Sequence, residues 1–229
     1  MSEQATQRMD DAVRSGAADA VPTDELFDLA AHDIKNALNV VNSALDMMDD
    51  DPAEMKDLLP LVRRSSGRIG RLVATLVEVN RLVSGTMPVR ASSERWSDLL
   101  EKAIADVALI AQAKEVRFET CGDVALSVRC DRPLLERVLT SLLDHALATS
   151  PRAAVVDVRV AAAEGGAFRV LIGSRGPAVP ADVLKRSRGW GLGIIFCQLA
   201  MARLGGSIRA LSPYVGADGL AFEFTLPPL

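Results

Sequence analysis

Two long segments of this 229-residue chain repeat apolar side chains at alternating spacings of three and four. The first runs Phe27, Ala30, Ile34, Ala37, Val41, Ala44 and Met48; the second runs Val62, Ser65, Ile69, Leu72, Leu76, Val79 and Val83. Such spacing draws one apolar stripe down the side of an α-helix, and other helices bury a stripe of this kind. Thr23 followed by Asp24 and Glu25 opens the first helix, because acids complement the positive end of the helix dipole. Asp49-Asp50-Asp51-Pro52 ends it after about Met48 and caps the second, with Pro52 at its first position. Pro60 is expected to kink the second helix or delay its start, and the stretch from Gly85 to Pro88 ends it. A hairpin of two seamed helices cannot enclose a core of this width alone. A second copy completes a four-helix bundle, so a homodimer is expected. Packing of the hairpin on the chain's own C-terminal half is the alternative.

From Val89 onward the pattern changes. Helices are expected over Trp96–Ala113, Arg132–Thr149 and Gly191–Leu204. Strands are expected over Val116–Thr120, Ala125–Val128, Val155–Ala161, Ala167–Ile172, Ile208–Leu211 and Ala221–Leu226. Gly165-Gly166 marks a hairpin. This order reads as an α/β sandwich, with helices on one face of a mixed sheet. The chain is thus an α/β two-domain protein: residues 1–22 a disordered lead-in, 23–88 the helical hairpin, and 89–229 the α/β domain.

His32 is one of two histidines in the chain. On the first helix it falls opposite the apolar seam, so its imidazole is expected to face solvent. Asp33 adjoins it, and Asn36 follows one turn later on the same face.

The stretch His32-Asp33-x-x-Asn36 resembles the phospho-accepting box of the two-component histidine kinases, which lies on the first helix of a dimeric four-helix bundle. That family often has Pro where this chain has Ala37. The resemblance extends to the C-terminal half, which is similar in order and spacing to the Bergerat-type ATP-binding domain of those kinases, a fold shared with gyrase and Hsp90. Four stretches carry the comparison. The helix ending at Thr149 follows the family's Asn-Leu-Leu-x-Asn-Ala frame, but Ser141 and His145 stand at its two Asn positions. The second Asn holds magnesium in the family, and imidazole is a poor ligand for that hard cation. The family's Asp-x-Gly-x-Gly loop is Ser174-Arg-Gly176-Pro-Ala178 here, so a serine replaces the adenine-binding Asp. Eight residues, Ala181–Arg188, stand between Pro180 and the next glycine, where the family has a long mobile lid. Gly189, Gly191 and Gly193 are retained; in the family such glycines bring backbone N–H groups to phosphates at a helix N-terminus. They equally serve a tight turn and close packing.

The resemblance implies a catalytic unit around His32. A neutral imidazole is the nucleophile for phosphoryl transfer. Asp33 is expected to hydrogen-bond Nδ1–H and leave Nε2 free to attack, and Asn36 to position water for dephosphorylation of a partner. No cofactor of its own is implied, because a response-regulator receiver domain carries both an acidic Mg2+ pocket and a phospho-accepting Asp. The expected function is histidine phosphotransfer in a bacterial phosphorelay without ATP. Two alternatives are a sensorless cytoplasmic histidine kinase with a divergent ATP site and a non-catalytic pseudokinase that sequesters a regulator. His145 is expected to be a packed or hydrogen-bonded helix residue.

Composition narrows the field. A net charge of -4 argues against nucleic-acid binding. Arg63, Arg64, Arg68 and Arg71 cluster, which reads as a solvated helix face. Cys121, Cys130 and Cys197 form no CxxC pair, so no metal site or disulfide framework is expected. Residues 1–23 do not read as a signal peptide, and Trp190–Ala202 is too short and glycine-broken to cross a membrane. A cytoplasmic protein is expected.

Overall fold

The computed structural model describes residues 23–123, 125–178, 191–214, 216 and 218–228. The expected lead-in over residues 1–22 lies outside them. The chain divides into two compact units at Met87–Pro88.

The first unit is an antiparallel pair of helices, α1 (Thr23–Asp50) and α2 (Met55–Val83). A 3-10 turn, Pro52–Glu54, joins them, and its Ala53 N–H donates to Asp51 Oδ1 at 2.9 Å. Pro52 therefore belongs to the turn and not to the first position of α2. Pro60 does not delay α2, which begins five residues before it. In the first turn of a helix the backbone N–H that proline lacks has no intrahelical acceptor, and Pro60 is close to that turn.

Helix α1 buries Leu26, Ala30, Ala37, Ala44 and Met48, while α2 buries Thr75, Val79 and Leu82. Two expected seam residues are displaced by one position. Phe27 is 51% exposed and Leu26 takes its place; Val83 is 43% exposed and Leu82 takes its place. Both alternatives satisfy a three-or-four spacing from the next seam residue, so the pattern alone does not separate them.

The second unit begins with a short strand that the sequence pattern did not reveal, β1 (Ser92–Arg95). Its four polar residues show no apolar alternation, and pairing with β3 makes it a strand. There follow α3 (Trp96–Ala113), β2 (Arg117–Gly122), β3 (Ser127–Cys130), α4 (Arg132–Thr149), β4 (Val155–Ala162), β5 (Phe168–Ser174), α5 (Gly191–Arg203), β6 (Ser207–Leu211) and β7 (Leu220–Leu226). Strands β1 and β3 form an antiparallel pair, and the main sheet has the order β2-β4-β5-β7-β6. Only β2 runs parallel to its neighbour, so the sheet is mixed.

Along β4 and β5 one face is buried almost throughout, and Asp157 and Gly173 of the other face are buried as well. Val156, Val158 and Val160 of β4, with Phe168, Val170 and Ile172 of β5, turn inward beside Phe222 and Phe224 of β7. Helix α4 lies over β5 and β7 and is flanked by α3 and α5. It buries Leu135, Val138, Leu139, Leu142, Leu143, Ala146 and Leu147. Each of these leucines contributes roughly 2 kcal/mol of transfer free energy when fully buried. Both ends of α4 are fixed. Asp131 accepts from Leu134 N–H at 3.1 Å and from Arg90 N–H at 2.7 Å. Lys114 Nζ donates to the carbonyls of Leu147 at 2.6 Å and Ser150 at 2.8 Å, placing a cation at the negative end of the helix dipole.

Candidate functional site

The described residues hold two groups of candidate side chains, one in each unit. In the hairpin, the seam of α1 turns Leu26, Ala30 and Ala37 toward α2, which leaves His32 outward with 71% of its side chain exposed. Asp33 is 20% exposed, and its Oδ1 lies 3.7 Å from His32 Nδ1. That separation suits an ion pair with a protonated ring and exceeds a hydrogen bond. The expected Nδ1–H bond to Asp33 is therefore not formed in this rotamer. Asn36 takes that position instead: its side-chain amide is 3.2 Å from Nδ1 and 3.5 Å from Nε2. An amide nitrogen facing Nδ1 fixes the proton on Nε2; an amide oxygen there fixes it on Nδ1 and frees Nε2. The sequence spacing placed these three residues on one face but could not rank Asn36 over Asp33 as the ring's nearest partner. Rotamers decided that.

The second group lies around the C-terminal half of α4 and the end of β5. Ser141 is half-buried. One turn earlier, the Val138 carbonyl accepts from the Cys197 thiol at 3.8 Å, which ties α4 to α5. Burial pushes the Cys197 thiol up to about 12, so it stays protonated. His145 is half-buried, with its ring edge-on to Phe222 at 5.2 Å between centroids. Burial lowers its pKa below the usual histidine value, so it is neutral near pH 7. Its imidazole is engaged in packing against the sheet.

Ser174 is only 1% exposed. Its hydroxyl lies 3.0 Å from Thr149 Oγ1 and 3.3 Å from the Leu220 carbonyl, to which it can donate. It thus links α4, β5 and β7 from within. Gly176 passes so close to α4 that a Cβ there would overlap the Thr149 carbonyl oxygen. Its own carbonyl accepts from Gly219 N–H at 2.7 Å. Gly191 opens α5 at φ +73°, a conformation that favours glycine. A Cβ at Gly193 would meet no atom within 4 Å among the described residues. Gly189 and the short Ala181–Arg188 connection lie outside the described residues. No cluster of three potential metal ligands occurs among the described residues, and no helix there is long and apolar enough to cross a membrane.

Sequence reasoning missed one feature next to Ser174. On the other side of the sheet Gly173 lies beneath the ring of Tyr214, whose hydroxyl donates to Asp157 Oδ2 at 3.2 Å. The Arg159 guanidinium stands 5.9 Å from the ring centroid. An isolated tyrosine in a loop gives no periodic signal that would have found it.

Comparison with known proteins covers both units. Residues 24–85 match the His Kinase A (phospho-acceptor) domain family, and residues 130–229 match the histidine kinase-, DNA gyrase B- and HSP90-like ATPase family. The adaptive-response sensory kinase SasA of Synechococcus sp. (strain JA-3-3Ab) is 22% identical over 89% of this chain and 59% of its own length. The sensor protein QseC of Escherichia coli O157:H7 is 30% identical over 69% of this chain and 35% of its own. The chain thus spans about a third to three fifths of the length of these relatives. Among solved structures, histidine kinase ThkA in complex with the response regulator protein TrrA aligns with a TM-score of 0.68 at 19% identity, covering 90% of this chain and 61% of that one.

Proposed function

We propose, from the premise that this chain is a two-component histidine-kinase-like protein with a phospho-acceptor domain followed by an ATPase-type domain, that it is a histidine phosphotransferase acting without ATP. His32 takes a phosphoryl group from the aspartate of one receiver domain and passes it to the aspartate of another. The observation that carries this reading is the contrast between the two groups of residues. His32 stands in solvent with Asp33 and Asn36 beside it, whereas His145 and Ser174 are engaged in internal contacts.

That second group does not suit magnesium and ATP. Magnesium takes oxygen ligands in near-octahedral array, and His145 offers only imidazole nitrogens on a ring packed edge-on to Phe222. Ser174 lacks the charge that strengthens a hydrogen bond to an adenine amino group, and its oxygen is enclosed between Thr149 and Leu220. The magnesium needed for phosphoryl transfer is then the partner's, held with its acceptor aspartate. At His32 the chain supplies the nucleophile, with the Asn36 amide as the ring's nearest partner and the Asp33 carboxylate 3.7 Å away.

Dimerisation accords with the apolar side chains that the single hairpin leaves outside. Phe27, Leu38, Leu45, Val73 and Val77 are each 45–55% exposed, and burial against a second hairpin removes them from water. The divergent-kinase alternative rests on the retained glycines; at Gly193 a Cβ would meet none of the described residues within 4 Å. Incubation of the protein with γ-labelled ATP and magnesium, with His32→Ala in parallel, separates the two. The phosphotransferase stays unlabelled. Label on the wild type alone makes the chain an autokinase.

A further inference from the structure

Strand β2 lies at one edge of the main sheet. It pairs with β4 on one side, and among the described residues no strand flanks the other. Five of its six residues are exposed, and only Phe118 is half-buried. Arg117 N–H donates to the Ala154 carbonyl at 3.1 Å, on the β4 side. Successive residues of a strand turn their N–H and C=O groups to alternate edges, so those of Phe118 and Thr120 point away from β4. Folded proteins blunt such an edge with proline, a bulge, an inward-pointing charge or a covering element. Over Arg117–Cys121 the sequence Arg-Phe-Glu-Thr-Cys has no proline, and its inward residues are uncharged. The strand ends only at Gly122, which has φ +107°.

The side chains of β2 divide between two faces. Phe118 is paired with Val156 and Glu119 with Asp157, and residues paired across a sheet share a face. Phe118 therefore lies on the helix-covered face with buried Val156, and Arg117 and Glu119 lie on the other. Glu119 stands directly across from the buried carboxylate of Asp157, and Arg117 across from Val155. Neither faces an opposite charge there. The last two turns of α3, which lead into β2, leave Leu109 82% and Ile110 46% exposed. Around α3, Ile110 falls only about 20° from Ala103, which is fully buried. The layer that covers Ala103 stops short of Ile110.

We infer that β2 is a pairing edge for the β2 of a second copy of this chain, antiparallel and centred on Phe118. The contact is separate from phosphate passage through His32. In this register Phe118 faces its own counterpart on the two-fold axis, and each Arg117 faces the Glu119 of the other copy. The two Phe118 residues exchange a pair of hydrogen bonds, and each Thr120 N–H donates to the Val116 carbonyl opposite. Arg117 and Glu119 then form the non-hydrogen-bonded pairs, whose side chains approach more closely. Arg-Phe-Glu is thus its own complement, as an isologous contact requires. Centring on Thr120 would set Glu119 against Cys121 and carry the ladder into the bend at Gly122. Leu109 and Ile110 add apolar surface beside the start of the strand. So small a contact is weak, with a dissociation constant on the order of 100 µM.

The test uses the full chain at concentrations up to about 500 µM. Sedimentation equilibrium reads association, and hydrogen exchange reads the Phe118 and Thr120 amides, which are expected to be protected in the wild type. Arg117→Glu and Glu119→Arg each set like charges opposite one another and weaken the pairing about 10-fold at low salt. The charge swap Arg117→Glu/Glu119→Arg restores it. So does an equal mixture of the two single variants, whose charges complement each other. Thr120→Pro removes an outward N–H without touching the β4 ladder and abolishes the pairing. Circular dichroism establishes that each variant is folded. Protection that survives both single reversals assigns the edge to some other strand and overturns the inference. Exchange of both amides at the rate of an open strand, at every concentration, overturns it too, as does a loss in the single variants that neither the swap nor the mixture restores.

Discussion

Replacing Gly173 by alanine tests how the sheet is held behind Ser174. Gly173 has ordinary strand backbone, so alanine is not strained by conformation. Its methyl would instead sit 2.7 Å from Cζ and 2.9 Å from Cδ1 of Tyr214. The ring must lift, which costs about 1–3 kcal/mol as overpacking. Lifting also weakens the hydroxyl bond to Asp157 at 3.2 Å, worth roughly 1.5–3 kcal/mol when the acceptor is charged. The Arg159 contact adds about 0.5 kcal/mol at this exposed site. Because the ring can tilt and keep part of each contact, the expected net loss is about 2–4 kcal/mol. In a Tyr214→Ala background the slot is open. Gly173→Ala is then neutral or stabilising by up to about 1 kcal/mol, since glycine weakens a strand. The double-mutant cycle is read from urea unfolding of the full chain by circular dichroism and by fluorescence of the buried Trp96. An equal cost of Gly173→Ala in both backgrounds would refute the argument and place the strain elsewhere.

Further outcomes follow from the same geometry. Ser174→Asp puts a carboxylate at a position only 1% exposed, against the Leu220 carbonyl; it is expected to lower stability by roughly 3 kcal/mol and to bring no ATP binding by calorimetry. Gly70→Ala on α2 meets nothing within reach, so thermal unfolding should show the hairpin stabilised by about 1 kcal/mol. His145 has a lowered pKa in the folded state because it is buried. Its contribution is complete above the unfolded value of about 6.5 and is lost as pH falls from there toward the folded value, because the unfolded chain binds the proton more readily. Stability measured between pH 7.5 and 5 should fall more steeply for the wild type than for His145→Asn.

Much of this architecture was readable in the sequence because its signals are periodic. The limits of α3 and α4 are the expected ones, since Trp96 and Asp131 mark clear starts and both helices carry continuous apolar faces. Strand β1 was not legible because Ser-Ser-Glu-Arg has no alternation; its partner β3 makes it a strand. Phe27 and Val83 were misplaced because a spacing of three and a spacing of four fit equally well. At the candidate site, the spacing gave His32, Asp33 and Asn36 as a unit. It could not give the 3.7 Å gap to Asp33 or the nearer contact from Asn36, which depend on side-chain rotamers. Nor could it show that Gly176 is required by the Thr149 carbonyl whereas Gly193 meets none of the described residues within 4 Å. Those are matters of what packs nearby.

The central claim is that phosphate passes through His32 without nucleotide. The direct measurement mixes a receiver domain labelled on its aspartate with the wild-type chain or His32→Ala, in magnesium buffer free of ATP and ADP, then adds a second, unlabelled receiver. The account predicts acid-labile, base-stable label on the wild type and its onward appearance on the second receiver, with neither seen for His32→Ala. Label that reaches the chain only after ATP is added, or transfer that persists in His32→Ala, would contradict it.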